Sequence, residues 1–244
     1  MIYRARQGQA SYGEAIGILL LDTYTPFIPG DVGNATTYPF PVRFQKVPGF
    51  TVERAIRKDP TAFDSLLAAA LELESQGVRA ITGDCGYMLI HQQELKKRVN
   101  VPVFLSSLLQ IPFITGIIGS DKKLAVICAD SRQMSPEIIG EFLGLENTQH
   151  LVVRGMQDCP SFSAAILDEI GWLDAAQIER EIAAKAKQMM ENESQIGAFL
   201  LECSCLPPYS AAILDAVGLP VFDYVSMINY VYSAVVKQSF HGFM

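Results

Sequence analysis

Hydrophobic residues in this chain form short continuous runs that alternate with segments of helical spacing. The runs predict strands at 15–21, 78–82, 101–105, 124–128, 151–153, 196–201 and 220–222. Apolar residues at helical spacing predict helices at 64–76, 89–98, 175–191, 211–217 and 227–236. Short apolar strands without strict alternation are typical of a parallel sheet that is covered by helices on both faces. The pattern therefore predicts an α/β protein.

Acidic residues and cysteines stand where the predicted strands end. The first strand ends at Asp22, and a later strand ends at Asp130. Two further strands end in an acid followed by a cysteine, at Asp84-Cys85 and at Glu202-Cys203. Open parallel sheets bind ligands beyond the carboxyl ends of their strands. We therefore expect the functional residues at these positions.

The two halves of the chain repeat this arrangement. A single offset maps Asp84 onto Glu202, Cys85 onto Cys203, and the VPVF segment at 101–104 onto the LPVF segment at 219–222. An internal repeat of this kind indicates duplication of one structural unit. It predicts an N-terminal α/β lobe at 1–118 and a C-terminal α/β lobe at 119–244, and it leaves open whether the last helix packs back on the first lobe.

The repeat gives two cysteines a shared chemical interpretation. If the lobes face each other about a pseudo-twofold axis, Cys85 and Cys203 flank one pocket, where a thiolate can remove a proton and the opposite thiol can return one. A helix start after each cysteine offers free N–H groups that favour a thiolate and a substrate carboxylate. Strand alternation predicts that Asp84 and Glu202 point away from this pocket, and their role stays open.

The sequences around the two cysteines resemble a known family. Cys85 in ITGDCGYM and Cys203 in LLECSCLPP are similar to the paired catalytic cysteines of the aspartate/glutamate racemase superfamily, which includes hydantoin racemases, maleate isomerases and arylmalonate decarboxylases. The resemblance implies two flavodoxin-like lobes, a site in the cleft between them, no cofactor, and a substrate carboxylate bound at Gly86 and Ser204. Glu202 departs from the family pattern because it stands at a position that is usually glycine.

These observations predict a cofactor-independent racemase or epimerase that acts on an amino acid or a related carboxylate. Cys85 and Cys203 would be its acid/base pair, which places the enzyme among the isomerases. Two alternatives use the same scaffold. One is a cis–trans isomerase or decarboxylase of a dicarboxylate, and the other is a non-catalytic binder of a small ligand.

Further residues are candidates for substrate binding because they follow strands or lie in the polar loop at 29–42. The full predicted binding set is Asp22, Asn34, Thr36, Gly86, Tyr87, Ser106 and Ser204. An ordinary polar crossover explains the loop equally well. Arg43 and Arg132 are candidate anchors for a carboxylate, since the guanidinium fork matches its geometry.

The other cysteines and His91 are interpreted structurally. Free cysteine is often buried, so Cys128 is expected in the core, and Cys159 is expected in a loop. No histidine or second cysteine pair stands near Cys203 and Cys205, so no metal site is expected there. His91 is expected to face away from Cys85.

Composition narrows the range of partners and compartments. Hydrophobic residues make up 50% of the 244-residue chain, and the net charge is −7 without any run of Lys or Arg. These values argue against nucleic acid as a partner. No apolar run approaches the ~20 residues of a spanning helix, so no membrane segment is expected. The five cysteines lack the spacing of a disulfide framework, which favours the cytoplasm. A homodimer is expected only from the family resemblance.

Overall fold

The computed structural model describes residues 2–244, which contain two four-stranded parallel sheets. In the first sheet the strands lie in the order β2-β1-β3-β4, with β1 at Ile16–Leu20, β2 at Val42–Lys46, β3 at Ala80–Gly83 and β4 at Val103–Phe104. In the second sheet the order is β6-β5-β7-β8, with β5 at Lys123–Cys128, β6 at Leu151–Gly155, β7 at Ile196–Leu201 and β8 at Val221–Phe222.

Helices connect the strands and flank the sheets. The α-helices are α1 (Val52–Ile56), α2 (Phe63–Ser75), α3 (Gln92–Leu95), α4 (Ile111–Ile117), α5 (Pro136–Leu143), α6 (Pro160–Phe162), α7 (Ala175–Asn192), α8 (Ser210–Val217) and α9 (Tyr224–Val235). Short 3-10 helices lie at Ala35–Thr37, Pro60–Ala62, Gly86–His91, Ser107–Gln110 and Pro207–Tyr209, and Ser163–Leu167 forms a π-helical turn. No helix within residues 2–244 combines the length and apolarity needed to cross a membrane.

Both sheets use the same strand order, counted from the first strand of each. The third strand in sequence lies beside the first in each sheet, so β3 and β7 are equivalent. Cys85 follows β3 and Cys203 follows β7. The predicted fold of two similar parallel-sheet α/β lobes is confirmed.

The first sheet is buried on both faces, which explains why its strands read as continuous apolar runs. Leu19 on one face of β1 packs in the core that includes Leu66 and Leu73 of α2. On the opposite face, Ile16 and Ile18 pack in a cluster with residues of α9, namely Tyr224, Met227 and Ile228. Since α9 follows the last strand of the second sheet, this helix joins the C-terminal end of the chain to the first sheet.

Elements with a strong apolar pattern have nearly the predicted bounds, whereas elements with a weak pattern have other bounds or were not predicted. The strand predicted at 15–21 is observed as Ile16–Leu20, and the helix predicted at 175–191 is observed as Ala175–Asn192. The helix predicted at 89–98 is shorter, because most of its start is the 3-10 helix Gly86–His91. Strand β2 was not predicted, since its sequence VRFQK alternates apolar and polar residues at a sheet edge.

Hydrogen bonds join the two sheets close to the cysteines. The Tyr87 hydroxyl donates to the Asp130 carbonyl oxygen at 2.7 Å and accepts from the Asp130 N–H at 3.0 Å. The Ser107 hydroxyl donates to the Leu201 carbonyl oxygen at 2.7 Å. These bonds are buried; one joins the turn after β3 to the turn after β5, and the other joins the turn after β4 to the end of β7.

Candidate active site

A partly open cavity lies between the two sheets, at the carboxyl ends of β1, β3, β5 and β7. Its empty volume, including the mouth, is about 450 Å³. The lining contains both predicted catalytic cysteines, several acidic and hydroxyl side chains, and an apolar wall. The lining residues are Leu21, Thr23, Thr25, Phe27, Val52, Ile56, Asp84, Cys85, Gly86, Tyr87, Ala129, Ile166, Leu167, Glu202, Cys203, Ser204 and Cys205.

The two cysteines occupy matching turns. The Met88 N–H donates to the Cys85 carbonyl oxygen at 3.0 Å, and the Leu206 N–H donates to the Cys203 carbonyl oxygen at 3.1 Å. The acid before each cysteine still donates to the neighbouring strand: the Asp84 N–H to the Leu19 carbonyl oxygen at 3.0 Å and the Glu202 N–H to the Ile127 carbonyl oxygen at 2.8 Å. Both thiols are free, and the structure brings them into one cavity.

The surroundings of Cys85 favour its protonated form. Burial raises the pKa of the Cys85 thiol well above its ordinary value, and the negative charges of Glu202, Asp84 and Cys203 raise it further. The N–H of Tyr87 hydrogen-bonds to the sulfur and opposes this rise. Cys85 therefore holds its proton near neutral pH.

Cys205 supports Cys203. A hydrogen bond to Cys203 raises the pKa of the Cys205 thiol, and burial and the nearby Asp31 carboxylate raise it as well. Burial raises the pKa of Asp31 to about 7, although Asp31 accepts a hydrogen bond from the Gly33 N–H at 2.9 Å. The Cys205 thiol is thus a hydrogen-bond donor toward Cys203, a role that the sequence did not indicate.

Asp84 and Glu202 line the cavity, which corrects the expectation that they point away from it. They lie beyond the last residues of β3 and β7, so strand alternation does not set their direction. Burial raises the pKa of Asp84 to about 8 and that of Glu202 to about 7. Both oxygens of Asp84 accept from the Leu21 N–H, at 3.0 and 3.1 Å, and this bond fixes the end of β1.

Three of the predicted binding residues lie in the cavity wall: Gly86, Tyr87 and Ser204. A Cβ atom on Gly86 would lie 1.9 Å from Oε1 of Glu202, so only glycine fits there. The Tyr87 hydroxyl is engaged by Asp130, and the Ser204 hydroxyl donates to the Asp84 carbonyl oxygen across the cleft. The side chains of Tyr87 and Ser204 therefore join the lobes as well as line the cavity.

The structure does not bring the other four predicted binding residues to the cavity. Asp22 forms an ion pair with Lys46 at 3.0 Å near the surface. Asn34 accepts from the Thr36 N–H and hydroxyl, so this pair caps the 3-10 helix that follows Asn34. Ser106 is fully buried and caps the 3-10 helix Ser107–Gln110. Local capping satisfies these side chains, which is why polar loop chemistry alone did not locate the site.

The remaining sequence candidates have structural partners outside the cavity. Arg43 pairs with Glu14 at 3.2 Å, and Arg132 pairs with Asp130. Cys128 is fully buried in the core, as expected, and Cys159 is buried at the start of α6. Burial lowers the pKa of His91 to about 4, so this side chain is neutral. None of the five is among the cavity-lining residues.

The mouth of the cavity is covered by a segment that the sequence did not predict. Thr23, Thr25 and Phe27 come from the loop after β1, and Ile166 and Leu167 come from the π-helical turn of the other lobe. The Thr23 hydroxyl and the Tyr24 N–H both donate to Oε1 of Glu169, at 2.5 and 2.7 Å. We name this contact the latch, because it holds the loop after β1 against the second lobe.

Comparison with known sequences identifies relatives along most of the chain. It is 33% identical over 215 residues to the dimethylsulfoniopropionate lyase of Durusdinium sp. clade D, a match that covers 86% of this chain and 71% of that protein. It is 30% identical over 230 residues to dimethylsulfoniopropionate lyase 5 of Emiliania huxleyi (strain CCMP1516), covering 90% of this chain and 45% of that protein. It is also 30% identical to dimethylsulfoniopropionate lyase 3 of the same strain, a match that covers 88% of this chain and 58% of that protein.

The chain spans less than two thirds of the length of these two Emiliania huxleyi relatives. No family model matches the sequence.

Solved structures share the fold at low sequence identity. Allantoin racemase from Pseudomonas fluorescens superimposes with a TM-score of 0.64 and 18% identity, covering 91% of each chain. Glutamate racemase from Bacillus anthracis gives a TM-score of 0.59 with 11% identity and covers 92% of this chain and 85% of its own. A mutant of arylmalonate decarboxylase gives a TM-score of 0.61 with 14% identity and covers 93% of this chain and 94% of its own. The fold is that of the aspartate/glutamate racemase superfamily.

The relatives correct the prediction of function. The expected racemase or epimerase, and with it the isomerase class, is wrong, because the matching relatives are named lyases. The similar racemase structures share the fold alone. A decarboxylase on this scaffold is one of the alternatives drawn from the sequence. That alternative also cleaves a carbon bond, so it agrees better with relatives that are named lyases. On a racemase fold with two cysteines in one interlobe cavity, this chain belongs to the dimethylsulfoniopropionate lyase family.

Proposed function

We propose that this protein cleaves dimethylsulfoniopropionate by β-elimination. A base removes a proton from the carbon next to the carboxylate, the C–H electrons form the new double bond, and the carbon–sulfur bond breaks. Sulfur leaves with the bonding pair as neutral dimethyl sulfide, the organic product is acrylate, and the proton passes to solvent. The observation that carries the proposal is the 33% identity to a lyase of this name over 86% of the chain.

The two cavity cysteines are the candidates for the base that this reaction requires. Cys85 keeps its proton because burial and Glu202 raise its pKa, so the proposed base is the thiolate of Cys203. The Cys205 thiol is a neighbour that can donate a hydrogen bond to Cys203. The Cys85 thiol remains as a donor on the opposite wall. A positioned base of this kind is expected to contribute about 10²–10⁴-fold to the rate.

The substrate carboxylate is proposed to bind the backbone N–H groups of the turn after Cys203 and the Thr25 hydroxyl, away from the Glu202 carboxylate, which lies against Gly86 in the turn after Cys85. None of the described residues that line the cavity is Lys, Arg or His. The lining carries the hydroxyl groups of Thr23, Thr25, Tyr87 and Ser204, of which all but that of Thr25 donate to protein acceptors. Donors fixed in this way stabilise the charge that develops on the carboxylate as the proton leaves.

The apolar wall suits the other end of the substrate. Leu21, Val52, Ile56, Ile166 and Leu167 enclose the cavity, and side chains of this kind can hold the two methyl groups on sulfur. The latch closes the mouth over them. A closed apolar site excludes water, which strengthens the electrostatic interactions inside it.

The test is product formation by the purified protein. We expect dimethyl sulfide in the headspace by gas chromatography and acrylate by proton NMR, in equal amounts. Cys203→Ser should lower kcat by about 10³-fold, the middle of the range for a positioned base. Cys159→Ser is the matched control, since Cys159 is buried beside Met156 away from the cavity. Absence of dimethyl sulfide, or normal turnover by Cys203→Ser, contradicts the proposal.

A further inference from the structure

Glu202 carries a buried carboxylate oxygen that has no partner. The side chain is fully buried, and its Oε2 accepts from the Ala129 N–H at 3.3 Å. Its Oε1 has no hydrogen-bond partner among residues 2–244 and lies against Gly86, where a Cβ would come within 1.9 Å. Glu202 lines the same cavity as both cysteines. The free oxygen is therefore directed to the place where substrate is proposed to bind.

Burying a carboxylate without a nearby positive charge costs free energy, so the buried Glu202 indicates that the described cavity lining lacks a cation. The described lining residues include acids and no base. Burial raises the pKa of Glu202 to about 7, so a neutral ligand favours the protonated carboxyl group, whereas a cation favours the carboxylate and is attracted by it. The other lining acid is already engaged, because both oxygens of Asp84 accept from the Leu21 N–H.

The rest of the lining fits a cation that cannot donate hydrogen bonds. A sulfonium group carries charge without N–H or O–H, so it is bound through electrostatic attraction and contact. Aromatic faces attract onium groups of this kind, and the rings of Phe27 and Tyr87 line the cavity. The carboxylate and the two rings together supply what an onium centre requires.

We propose that Glu202 is the counter-ion of the substrate's sulfonium group, and that it selects zwitterionic onium carboxylates over neutral carboxylates of the same shape. The inference rests on the proposed lyase function and adds the residue that determines specificity. When the carbon–sulfur bond breaks, sulfur becomes neutral and the attraction to Glu202 ends. The same residue thereby favours substrate over the released dimethyl sulfide.

Two unreactive ligands of equal shape test the charge preference. β-Alanine betaine carries a trimethylammonio group, and its carbon isostere carries a tert-butyl group in the same place. We expect wild-type protein to bind the betaine at least about tenfold more tightly by calorimetry, as close charge pairs commonly do. In Glu202→Gln the ratio should fall close to one. Glu191→Gln is the control and should keep the ratio, since Glu191 is exposed on α7 and lies outside the cavity lining.

Kinetics separate this role from that of a base. Loss of a counter-ion that acts on bound substrate should raise KM for dimethylsulfoniopropionate in Glu202→Gln and leave kcat nearly unchanged. A collapse of kcat with unchanged KM would overturn the proposal, as would an unchanged ligand ratio. Circular dichroism checks that the variant folds. If it does not fold, the wild-type ratio decides, because equal binding of the two ligands also overturns the proposal.

The binding experiment does not depend on turnover, so the two proposals can fail separately. A preference for the betaine that is lost in Glu202→Gln, without release of dimethyl sulfide by wild-type protein, supports the onium site and rejects the lyase reaction. Release of dimethyl sulfide without any charge preference supports the reaction and rejects the role of Glu202.

Discussion

At the scale of single residues, the contact between Gly86 and Glu202 shapes the site. The glycine gives the carboxylate room to cross from the second lobe to the first, and the carboxylate in turn excludes a side chain at position 86. Two features that look unrelated in the sequence are thus one steric arrangement. The Glu202 carboxyl group can occupy the cavity wall because Gly86 has no Cβ.

Gly86→Ala is expected to destabilise the protein. Its Cβ would lie 1.9 Å from Oε1 of Glu202, and relief of the clash should cost about 1–3 kcal/mol in the free energy of unfolding. Denaturant titration measures this. The control is Gly116→Ala in α4, where no atom lies within 4 Å of the new Cβ and a gain of about 0.5–1 kcal/mol is expected. Equal effects at the two glycines would contradict the steric argument.

Buried carboxyl groups make the stability depend on pH. The pKa of Glu202 rises from 4.5 to about 7, and those of Asp31 and Asp84 rise from 3.8 to about 7 and about 8. The folded protein therefore holds protons that the unfolded chain releases. The free energy of unfolding should fall as pH rises from about 4.5 to about 7, by about 1.4 kcal/mol per pH unit for each group.

Denaturant titrations across this pH window test the direction of the effect. Glu202→Gln should reduce the change in unfolding free energy per pH unit by the contribution of one carboxyl group. Glu191→Gln, at an exposed position on α7, should leave this pH dependence unchanged. Stability that rises with pH in wild-type protein would contradict the argument.

At the scale of elements, the latch connects a loop of one lobe to a turn of the other. Glu169 accepts from Thr23 and Tyr24 while its own backbone has a φ of 50°, a conformation uncommon for any residue except glycine. The Tyr24 ring also packs on Gly171, where a Cβ would come within 2.2 Å. A locally unfavourable backbone is thus held by contacts that close the cavity.

Glu169→Ala is expected to loosen the mouth of the cavity. Two hydrogen bonds to a carboxylate are lost, so alkylation of the cavity thiols by iodoacetamide should become about tenfold faster. The rate is followed by intact mass. Glu191→Ala, which removes an exposed carboxylate on α7, is the matched control and should not change the rate. If both variants react as slowly as wild-type protein, the latch does not control access.

The strength of the local pattern decides which elements the sequence can predict. β5, with the buried run KLAVIC, and α7, with its long apolar stripe, could be predicted because tertiary packing agrees with local periodicity. β2 was not among the predictions, because the strands were predicted from continuous apolar runs, whereas this edge strand alternates apolar and polar residues. The π-helical turn Ser163–Leu167 carries no period that distinguishes it from an ordinary helix.

At the scale of the whole molecule, the repeat makes the central part of the site predictable and leaves its rim unpredicted. Equivalent strands carry Cys85 and Cys203 to one cleft, so the duplication alone brings them together. The loop after β1 and the turn at Ile166 meet only in the tertiary structure, and no pattern in the sequence joins them. The class of reaction named for the relatives could not be predicted from the fold, because similar structures include both racemases and a decarboxylase. Glu202, as a departure from the family motif, was the sign in the sequence that this site differs from a racemase site.

Tyr87→Phe tests how much the interlobe contact contributes to the stability of the molecule. The Tyr87 hydroxyl bonds both the N–H and the carbonyl oxygen of Asp130, and its loss leaves buried backbone groups unpaired. The free energy of unfolding should fall by about 1–3 kcal/mol. Tyr12→Phe, at a largely exposed position, should have no measurable effect. Similar unfolding midpoints for the two variants would contradict an energetic role for the bridge.

The fit of Gly86 to Glu202 also constrains the order in which this site can have evolved. An ancestor with a side chain at position 86 could not accept glutamate at position 202 without a collision, whereas glycine at 86 is compatible with either a small or an acidic neighbour. For an ancestor with a side chain at position 86, loss of that side chain before the gain of the acid is the order that avoids the collision. While the acid remains, regaining a side chain at position 86 costs the free energy needed to relieve the clash.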